Sequence, residues 1–428
     1  MTLSLLVGGF LLFSCLGMPV AYSIGVTSVL LLLLDGTVPL VLAPQRMFVV
    51  VNSFSLMAIP FFLLAGEFMN TGGITRRLVN FSDTLVGHIR GGLAHVCVVS
   101  NMFMAGISGS SAADASAIGG MLIPAMIRKG YDRNFSVAIN CSAACLGPII
   151  PPSIIMIIYG SLTGVSIGAL FLGGVVPGIL IGGGLMVVSY VLSLKGQLMP
   201  APRVSATWRE VWQTFREASL ALLLPVIILG GILSGVFTAT EAGAVAAVVS
   251  LVLGVFVYRE IAPRDIPRVV VRAASSTAVV LLLAATAAIF GWILAKERFG
   301  DLALGAMQRI TTSTMGIMFL VLILLLIVGC FVDTIASTII LIPVLHPMAV
   351  KLGFDPVYFG VIATILIVLG GLTPPVAPLL YIASTIAHSP SLDALPLVLI
   401  LMAVMVVVIV VLIFVPPLIT FLPHLFFK

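Results

Sequence analysis

Ser108-Gly-Ser-Ser-Ala-Ala-Asp114, then Ile123-Pro124, then Gly130-Tyr-Asp132, then Gly147-Pro-Ile-Ile-Pro151-Pro152 is a string of small, polar and helix-breaking residues inside an otherwise apolar chain. The same order returns as Cys330-Phe-Val-Asp333, Ile342-Pro343, Gly353-Phe-Asp355 and Gly370-Gly-Leu-Thr-Pro374-Pro375. Asp to the proline of Ile-Pro is ten residues in both copies, and the glycine of Gly-aromatic-Asp to Pro-Pro is 21 in both. Only the piece around His346-Pro347 then differs in length. Two unrelated segments rarely keep such an order, so the pattern predicts an internal duplication.

Composition sets the solvent. With 61% apolar and 8% charged residues over 428 positions, the chain is more hydrophobic than a soluble core, and its apolar runs repeatedly reach membrane-spanning length. Its mean hydropathy is +1.29. Runs such as 220–232 and 397–415 are continuously apolar, which fits helices and not the short alternating strands of a membrane barrel. The expectation is an all-α polytopic protein embedded in a lipid bilayer.

The net charge of +5 carries no cluster resembling a nucleic-acid patch, so it is read as topology and no nucleic-acid partner is expected. Cys15, Cys97, Cys141, Cys145 and Cys330 lie in apolar context without metal-ligand or CxxC spacing, which indicates neither a disulfide framework nor a zinc site. The N-terminus is apolar at once, with no basic leader or small-residue cleavage site, and reads as a retained helix.

In chain order, residues 2–34 read as two short passes broken at Gly17-Met-Pro19, 35–46 as a loop and 49–69 as the next span. Residues 76–90 place Leu78, Phe81, Leu85 and Ile89 at helical spacing beside charges, an amphipathic arm on the membrane surface. Residues 91–126 form two apolar limbs of about 15 residues around a polar tip at 106–111. At 1.5 Å per residue each limb covers only about 22 Å, so a re-entrant hairpin is predicted. Residues 135–160 contain Gly147-Pro148 and Pro151-Pro152 and must break at mid-membrane. A closing span covers 168–194. In the linker, Thr207-x-x-Glu210 looks like a capping box opening a short interfacial helix with Trp208, Val211, Trp212 and Phe215 on one face.

The second half repeats this order, with two short spans to Tyr258, a span over 273–295, an arm over 298–310, a hairpin over 313–350, a broken helix over 356–384 and a last span from Leu395. The predicted organisation is a first repeat over 1–196, a cytoplasmic linker over 197–217 and a second repeat over 218–428. If the first hairpin opens to the cytoplasm, fourteen of the 20 Lys+Arg fall inside, among them Lys195 and Arg203, and only Arg46, Lys296, Arg298, Arg309, Lys351 and Lys428 fall outside. That bias supports the orientation. Five spans then separate matched points, so the two copies run in opposite senses, and inverted repeats with paired broken helices point to a secondary transporter with a midplane site.

Unwound backbone within the hydrocarbon is tolerated only where protein covers it or where it lines a hydrated cavity. Freed carbonyls there suit sodium, and helix N-termini suit a carboxylate. Gly/Pro kinks also serve plain helix packing, but four at matched positions argue for a site. Asp114 and Asp333 sit at matched places and are candidates for substrate binding, although Ser111-x-x-Asp114 is also a capping pattern. Asn101, Ser111 and Asn140 join them as candidates to line the cavity; the two asparagines could instead bond across helices. Glu67 and Glu241, near span ends, read as structural. No Walker motif, nucleophile elbow, HExxH or paired catalytic carboxylates appears, so an enzyme is not expected, and the energy must come from an ion gradient or another chain.

Met104-Ala-Gly-Ile-Ser-Gly-Ser-Ser-Ala-Ala-Asp114, Gly147-Pro-Ile-Ile-Pro-Pro-Ser153, Phe237-Thr-Ala-Thr-Glu-Ala-Gly-Ala244 and Gly370-Gly-Leu-Thr-Pro-Pro375 resemble the large membrane subunit of the tripartite ATP-independent periplasmic (TRAP) transporters. The resemblance covers essentially the whole chain. It implies a bacterial inner-membrane permease that imports organic acids by a sodium-driven elevator, with no cofactor beyond the coupling ions. It also implies two partners, a separate small membrane subunit of about four helices and a periplasmic substrate-binding protein. The family's sodium near the second hairpin carries over to Gly329, Gly370 and Thr373. Repeat symmetry places the first sodium at Ser110 and Gly147, with Ser108 and Ser153 beside them, and Ile150 standing where the second copy has Thr373 suggests a first site with fewer side-chain oxygens. The rival reading is an ion channel or sodium-independent facilitator using the same cavity.

Overall fold

A computed structural model describes residues 2–194, 206–374 and 376–427. The expectations that fall on Lys195, linker residues 197–205 with Arg203, Pro375 and Lys428 lie outside the described residues. Twenty α-helices make up the described chain, with no strand among the described residues. Seven are long and apolar enough to cross a membrane, or eight if one bent pair counts as a single span.

The chain opens with α1 (Thr2–Cys15) and α2 (Val20–Asp35), two helices parted at Gly17, whose φ of +84° suits glycine. Residues 42–51, expected as loop and span start, are instead a helix, α3 (Leu42–Val51), bent by 58° against the following segment that holds α4 (Ala58–Thr71). Pro44 lies in the first turn of α3, where a missing N–H costs nothing. The arm is α5 (Ile74–Val86), which ends before Ile89; Leu78 and Phe81 are buried while Arg76 stays exposed. The first hairpin is α6 (Gly92–Ser108) and α7 (Ser111–Arg128), and the first broken helix is α8 (Arg133–Ala144) and α9 (Ile154–Thr163). The span α10 (Ile167–Leu194) follows.

The second half begins with α11 (Trp208–Leu233), opened by the expected box: Glu210 N–H donates to Thr207 Oγ1, and Thr207 N–H donates to Glu210 Oε2. The interfacial helix expected here is not a separate element, because α11 runs without interruption from the linker through residue 218 into the span. Next come α12 (Ala239–Val252), α13 (Ile266–Lys296) and the arm α14 (Phe299–Ile310). Glu241 closes a second capping box with Thr238, the structural role expected of it. The second hairpin is α15 (Thr314–Phe331) and α16 (Thr334–Lys351), and the second broken helix is α17 (Pro356–Gly370) and α18 (Pro378–Ala387). The span α19 (Leu395–Phe414) and α20 (Pro417–Phe426), a helix not expected from the sequence, end the described chain.

The halves interlock by exchanging partners. In the outer part α2 packs on α13 and α4 on α12; around the breaks α7 packs on α18 and α16 on α9. Ion pairs fasten the arms at the two faces: Arg76 and Arg77 both reach Glu260, at 2.8 and 2.7 Å, and Lys351 Nζ lies 2.9 Å from Asp301. The Lys351 ammonium, hydrogen-bonded to Asp301, holds that exposed carboxyl below the usual carboxylate range.

Element bounds correct the sequence register. The second limbs begin at Ser111 and Thr334 and end at Arg128 and Lys351, an offset of 223 at both ends. The N-caps of the broken helices, Asp132 and Asp355, keep the same offset. The match of Asp114 to Asp333 and of Pro124 to Pro343 is therefore one helical turn out, and no piece near His346 differs in length. Pro124 corresponds to Pro347, Ser110 to Asp333, and Asp114 to Ser337. Sequence comparison erred here because a proline recurs at 343 and 347, one turn apart, and a helix face looks alike under a four-residue slip.

Candidate functional site

Both hairpins turn at mid-chain through a side-chain cap. Ser110, extended at φ −132°, takes the N–H of Ala113 and opens α7; Asp333 takes the N–H of Ile335 and opens α16. The predicted Ser111-x-x-Asp114 box does not form, since the cap is Ser110 and Asp114 turns elsewhere. The second limbs then carry the same two residue types with places exchanged. Hairpin one has serine at the cap and Asp114 in the first turn, whereas hairpin two has Asp333 at the cap and Ser337 in the first turn.

Asp114 is fully buried and belongs to the first break. Its Oδ1 accepts the Ser108 hydroxyl at 2.5 Å, and its Oδ2 has no hydrogen-bond partner. Oδ2 lies against bare backbone: a Cβ on Gly147 would stand 2.6 Å from it and 3.1 Å from Ser111 N. Gly109 is held in the left-handed region at φ +61°, where a Cβ would meet Pro152 O at 2.7 Å. Its carbonyl accepts from Ile154 N, which joins the hairpin tip to the break. Ser153 caps α9 by accepting from Met156 N, and its hydroxyl donates to Pro148 O at 2.5 Å. The first break thus gathers Ser108, Ser110, Asp114, Gly147 and Ser153. The sequence comparison set Asp114 against Asp333 and expected fewer side-chain oxygens at this break; the structure places Asp114 there as well, facing Gly147.

At the second break α15 and α17 cross at glycine. A Cβ on Gly370 would meet Gly329 Cα at 2.6 Å, and one on Gly329 would meet Gly370 Cα at 3.0 Å. Gly329 lies within α15 and not at the tip, so in register it answers to Gly106 and not to Ser110. Thr373 Oγ1 donates to Gly370 O at 2.7 Å and stands 2.6 Å from Cys330 Sγ.

Between the breaks is a cavity of about 90 Å³ lined by both tips and both breaks. Ser111 and Ala112 begin α7, Ile154 and Ile155 begin α9, Thr334 and Ile335 begin α16, and Pro378 and Leu379 begin α18. Four helix N-termini therefore surround one cavity, and each presents the positive end of its dipole. Asp333 also lines it and is engaged by its cap.

Asn101 and Asn140 do not reach this cavity. Both are fully buried where α6, α7 and α8 meet; Asn101 Nδ2 donates to Cys97 O, and Asn140 Nδ2 donates to Ala115 O. They bond within the helical bundle and not to a cavity. Glu67, read from the sequence as structural, lines a cleft of about 370 Å³ beside Ser108 and Ser110. Its place near the end of α4 hid it in the sequence, because only packing shows which side of a span end is wet. All cysteines among the described residues are free thiols, and no His/Cys/Asp/Glu group fit to hold a metal occurs among the described residues.

Residues 7–418 match the family model described as "Tripartite ATP-independent periplasmic transporter, DctM component". The chain is 41% identical to the C4-dicarboxylate TRAP transporter large permease protein DctM of Pseudomonas aeruginosa, over 86% of each chain. It is 38% identical to the sialic acid TRAP transporter large permease protein SiaM of Vibrio cholerae, over 87% of each. It is 40% identical to the isethionate TRAP transporter permease protein DctMQ of Oleidesulfovibrio alaskensis, over 94% of this chain but only 64% of that longer protein. Among solved structures, the YdaH transporter of Alcanivorax borkumensis superposes with a TM-score of 0.60 at 14% identity, covering 85% of this chain and 84% of that one. MtrF of Neisseria gonorrhoeae gives 0.59 at 13%, covering 89% and 84%. At those identities the likeness concerns the fold alone. The sequence matches go further: this multi-pass chain belongs to the DctM component family of tripartite ATP-independent periplasmic transporters.

Proposed function

We propose that this chain is the large permease subunit of a sodium-coupled importer, and that a small carboxylate occupies the cavity between the two hairpin tips. The observation that carries this reading is the convergence of four helix N-termini on that cavity, beside a buried carboxylate with one unpartnered oxygen. Backbone N–H groups at helix starts receive an anion without a buried cationic side chain. Asp114, with Ser108 and Ser110, supplies what a cation needs next to them, so Asp114 serves sodium and not the substrate. Thr373, Gly370 and Gly329 would hold a second sodium. Relatives named for C4-dicarboxylates and sialic acid support an acidic cargo, and their naming as large permease proteins supports a separate small membrane subunit. A periplasmic binding protein delivers the cargo, and the whole assembly works in a bacterial inner membrane.

Movement is proposed to be elevator-like, with hairpins and broken helices sliding as one body against α1 to α4 and α11 to α13, and with α5 and α14 as connecting arms. Uptake of labelled dicarboxylates into proteoliposomes containing the complete assembly tests the coupling. Uptake should require an inward sodium gradient, and equal uptake in its absence would favour a facilitator. Spin labels at Ser108 and Val332 should keep their separation through the cycle while Ser108 to Val26 changes by several ångströms. A change in the first distance alone would sink the elevator.

A further inference from the structure

Beyond the midplane cavity an open cleft leads away from the first hairpin, and the charges along it have no role in the site already described. The cleft of about 370 Å³ has Ser108 and Ser110 at its inner end, Glu67 and Asn70 of α4 on one side and Ser276 of α13 on another. A second space of about 510 Å³ shares Glu67, Asn70 and Ala113 with it and adds Ser116 and Arg272. Glu67 therefore stands between Arg272 and the hairpin tip. Arg272, Ser276 and Val280 follow at four-residue steps along α13, which puts them on one face, and Arg272 is exposed.

Glu67 is the one carboxylate and Arg272 the one guanidinium lining these two spaces, and neither makes an ion pair among the described residues. Charges left unneutralised in a water-filled cleft with apolar walls raise the local concentration of their counter-ions. Residues 264–272 also carry Arg264 and Arg268 on the face into which the path opens, the face that the charge bias puts in the cytoplasm. We propose that Arg272 and Glu67 are the two ion stations of a release path: Arg272 receives the carboxylate cargo once it has left the midplane cavity, and Glu67 receives the cation that leaves with it. The proposal rests on the carboxylate and sodium reading above. It adds to that reading a charge for each ion, placed in the order in which a path from the tip to the mouth would meet them.

A cysteine at Ser276, in a Cys15→Ser/Cys330→Ser background, reports the electrostatics of the cleft without any transport. In the purified chain in detergent, its reaction rates with an anionic sulfonatoethyl and a cationic trimethylammonioethyl methanethiosulfonate are compared. Arg272→Gln should lower the anionic-to-cationic rate ratio by about tenfold, Arg272→Lys should restore it, and Glu67→Gln should raise it. Added succinate should slow the anionic reagent in the parent and not in Arg272→Gln. A ratio that Arg272→Gln leaves unchanged, or a Ser276 cysteine inert to both reagents in every background, overturns the proposal. Sodium-independent uptake by the unmodified assembly would instead remove the coupling reading while leaving the thiol ratios as they are.

Discussion

Replacing Asp114 by asparagine separates two roles that its position allows. The residue is fully buried, with one oxygen taking the Ser108 hydroxyl and the other unpartnered beside Gly147. A dry, unpartnered polar atom costs roughly 1–3 kcal/mol, and more when it is charged. A sodium ion seated against Oδ2 returns that energy, and asparagine, of the same shape but neutral, cannot collect it. At 1.4 kcal/mol per factor of ten, the sodium concentration for half-maximal uptake should rise by roughly 10- to 100-fold. If Asp114 served only the dipole of α7, where it lies in the first turn, the change would cost about 0.3–1 kcal/mol of stability and leave sodium affinity alone. Sodium titration of uptake in proteoliposomes reads the first effect. Thermal melts of the purified chain in sodium or choline read it independently, because a bound ion stabilises by mass action. The parent should melt higher in sodium, and Asp114→Asn should show a smaller sodium-dependent shift, that of the second site alone. A wild-type sodium half-saturation together with a full sodium-dependent shift of Tm in Asp114→Asn would refute the reasoning.

Thr373→Val removes the hydroxyl that binds Gly370 O, and should raise sodium half-saturation several-fold with expression intact; an unchanged value excludes Thr373 from the second site. Gly370→Ala forces α15 and α17 apart at their glycine crossing, an overpacking of about 1–3 kcal/mol, and should lower Tm, whereas Gly120→Ala, with nothing within 4 Å, should gain helix propensity and not lose stability. Equal melting of those two variants would contradict the crossing. Single cysteines at Arg76 and Arg264, both exposed, should resist an impermeant thiol reagent added outside cells, while one at Arg298 reacts; the reverse pattern inverts the topology.

Glycine and proline made much of the architecture legible. The turns at 109–110 and 332–333 and the gaps between α8 and α9 and between α17 and α18 fall where Gly-Ser, Val-Asp, Gly-Pro and Thr-Pro interrupt apolar runs. What the chain hid was register and continuity. Ile123-Pro124 resembles Ile342-Pro343 more than it resembles His346-Pro347, yet the limbs align on the latter. Identity of neighbours is weak information in an alphabet this narrow, while the N-cap is a physical marker of where a helix starts. Thr207 and Glu210 announced the beginning of α11, but nothing between Glu217 and Ala218 could announce that it does not stop. Asn140 was legible as a buried amide that either lines a cavity or bonds across helices, and the sequence did not choose between these, since its partner Ala115 O is backbone and leaves no sequence signal.

Several helix pairs in one half lack a matching pair in the other, and one of these bears on the proposed mechanism. In the second half α16 packs against α13. The counterpart pair in the first half is α7 and α4, and between these the molecule has a cleft reaching from Ser108 and Ser110 to Arg272. The third span is bent in the first half and a single helix in the second, and on the proposed elevator the unequal seating of the two hairpins against them would belong to one state of the cycle. Exchanging the two arrangements, with α7 seated on α4 and α16 parted from α13, would close the path at Arg272 and open one on the face where Arg298 and Lys351 lie. Glu67 and Arg272 would then share a narrowed, drier cleft in which opposite charges attract more strongly than in water. The same two side chains that draw ions apart in the open arrangement would hold the shut one together.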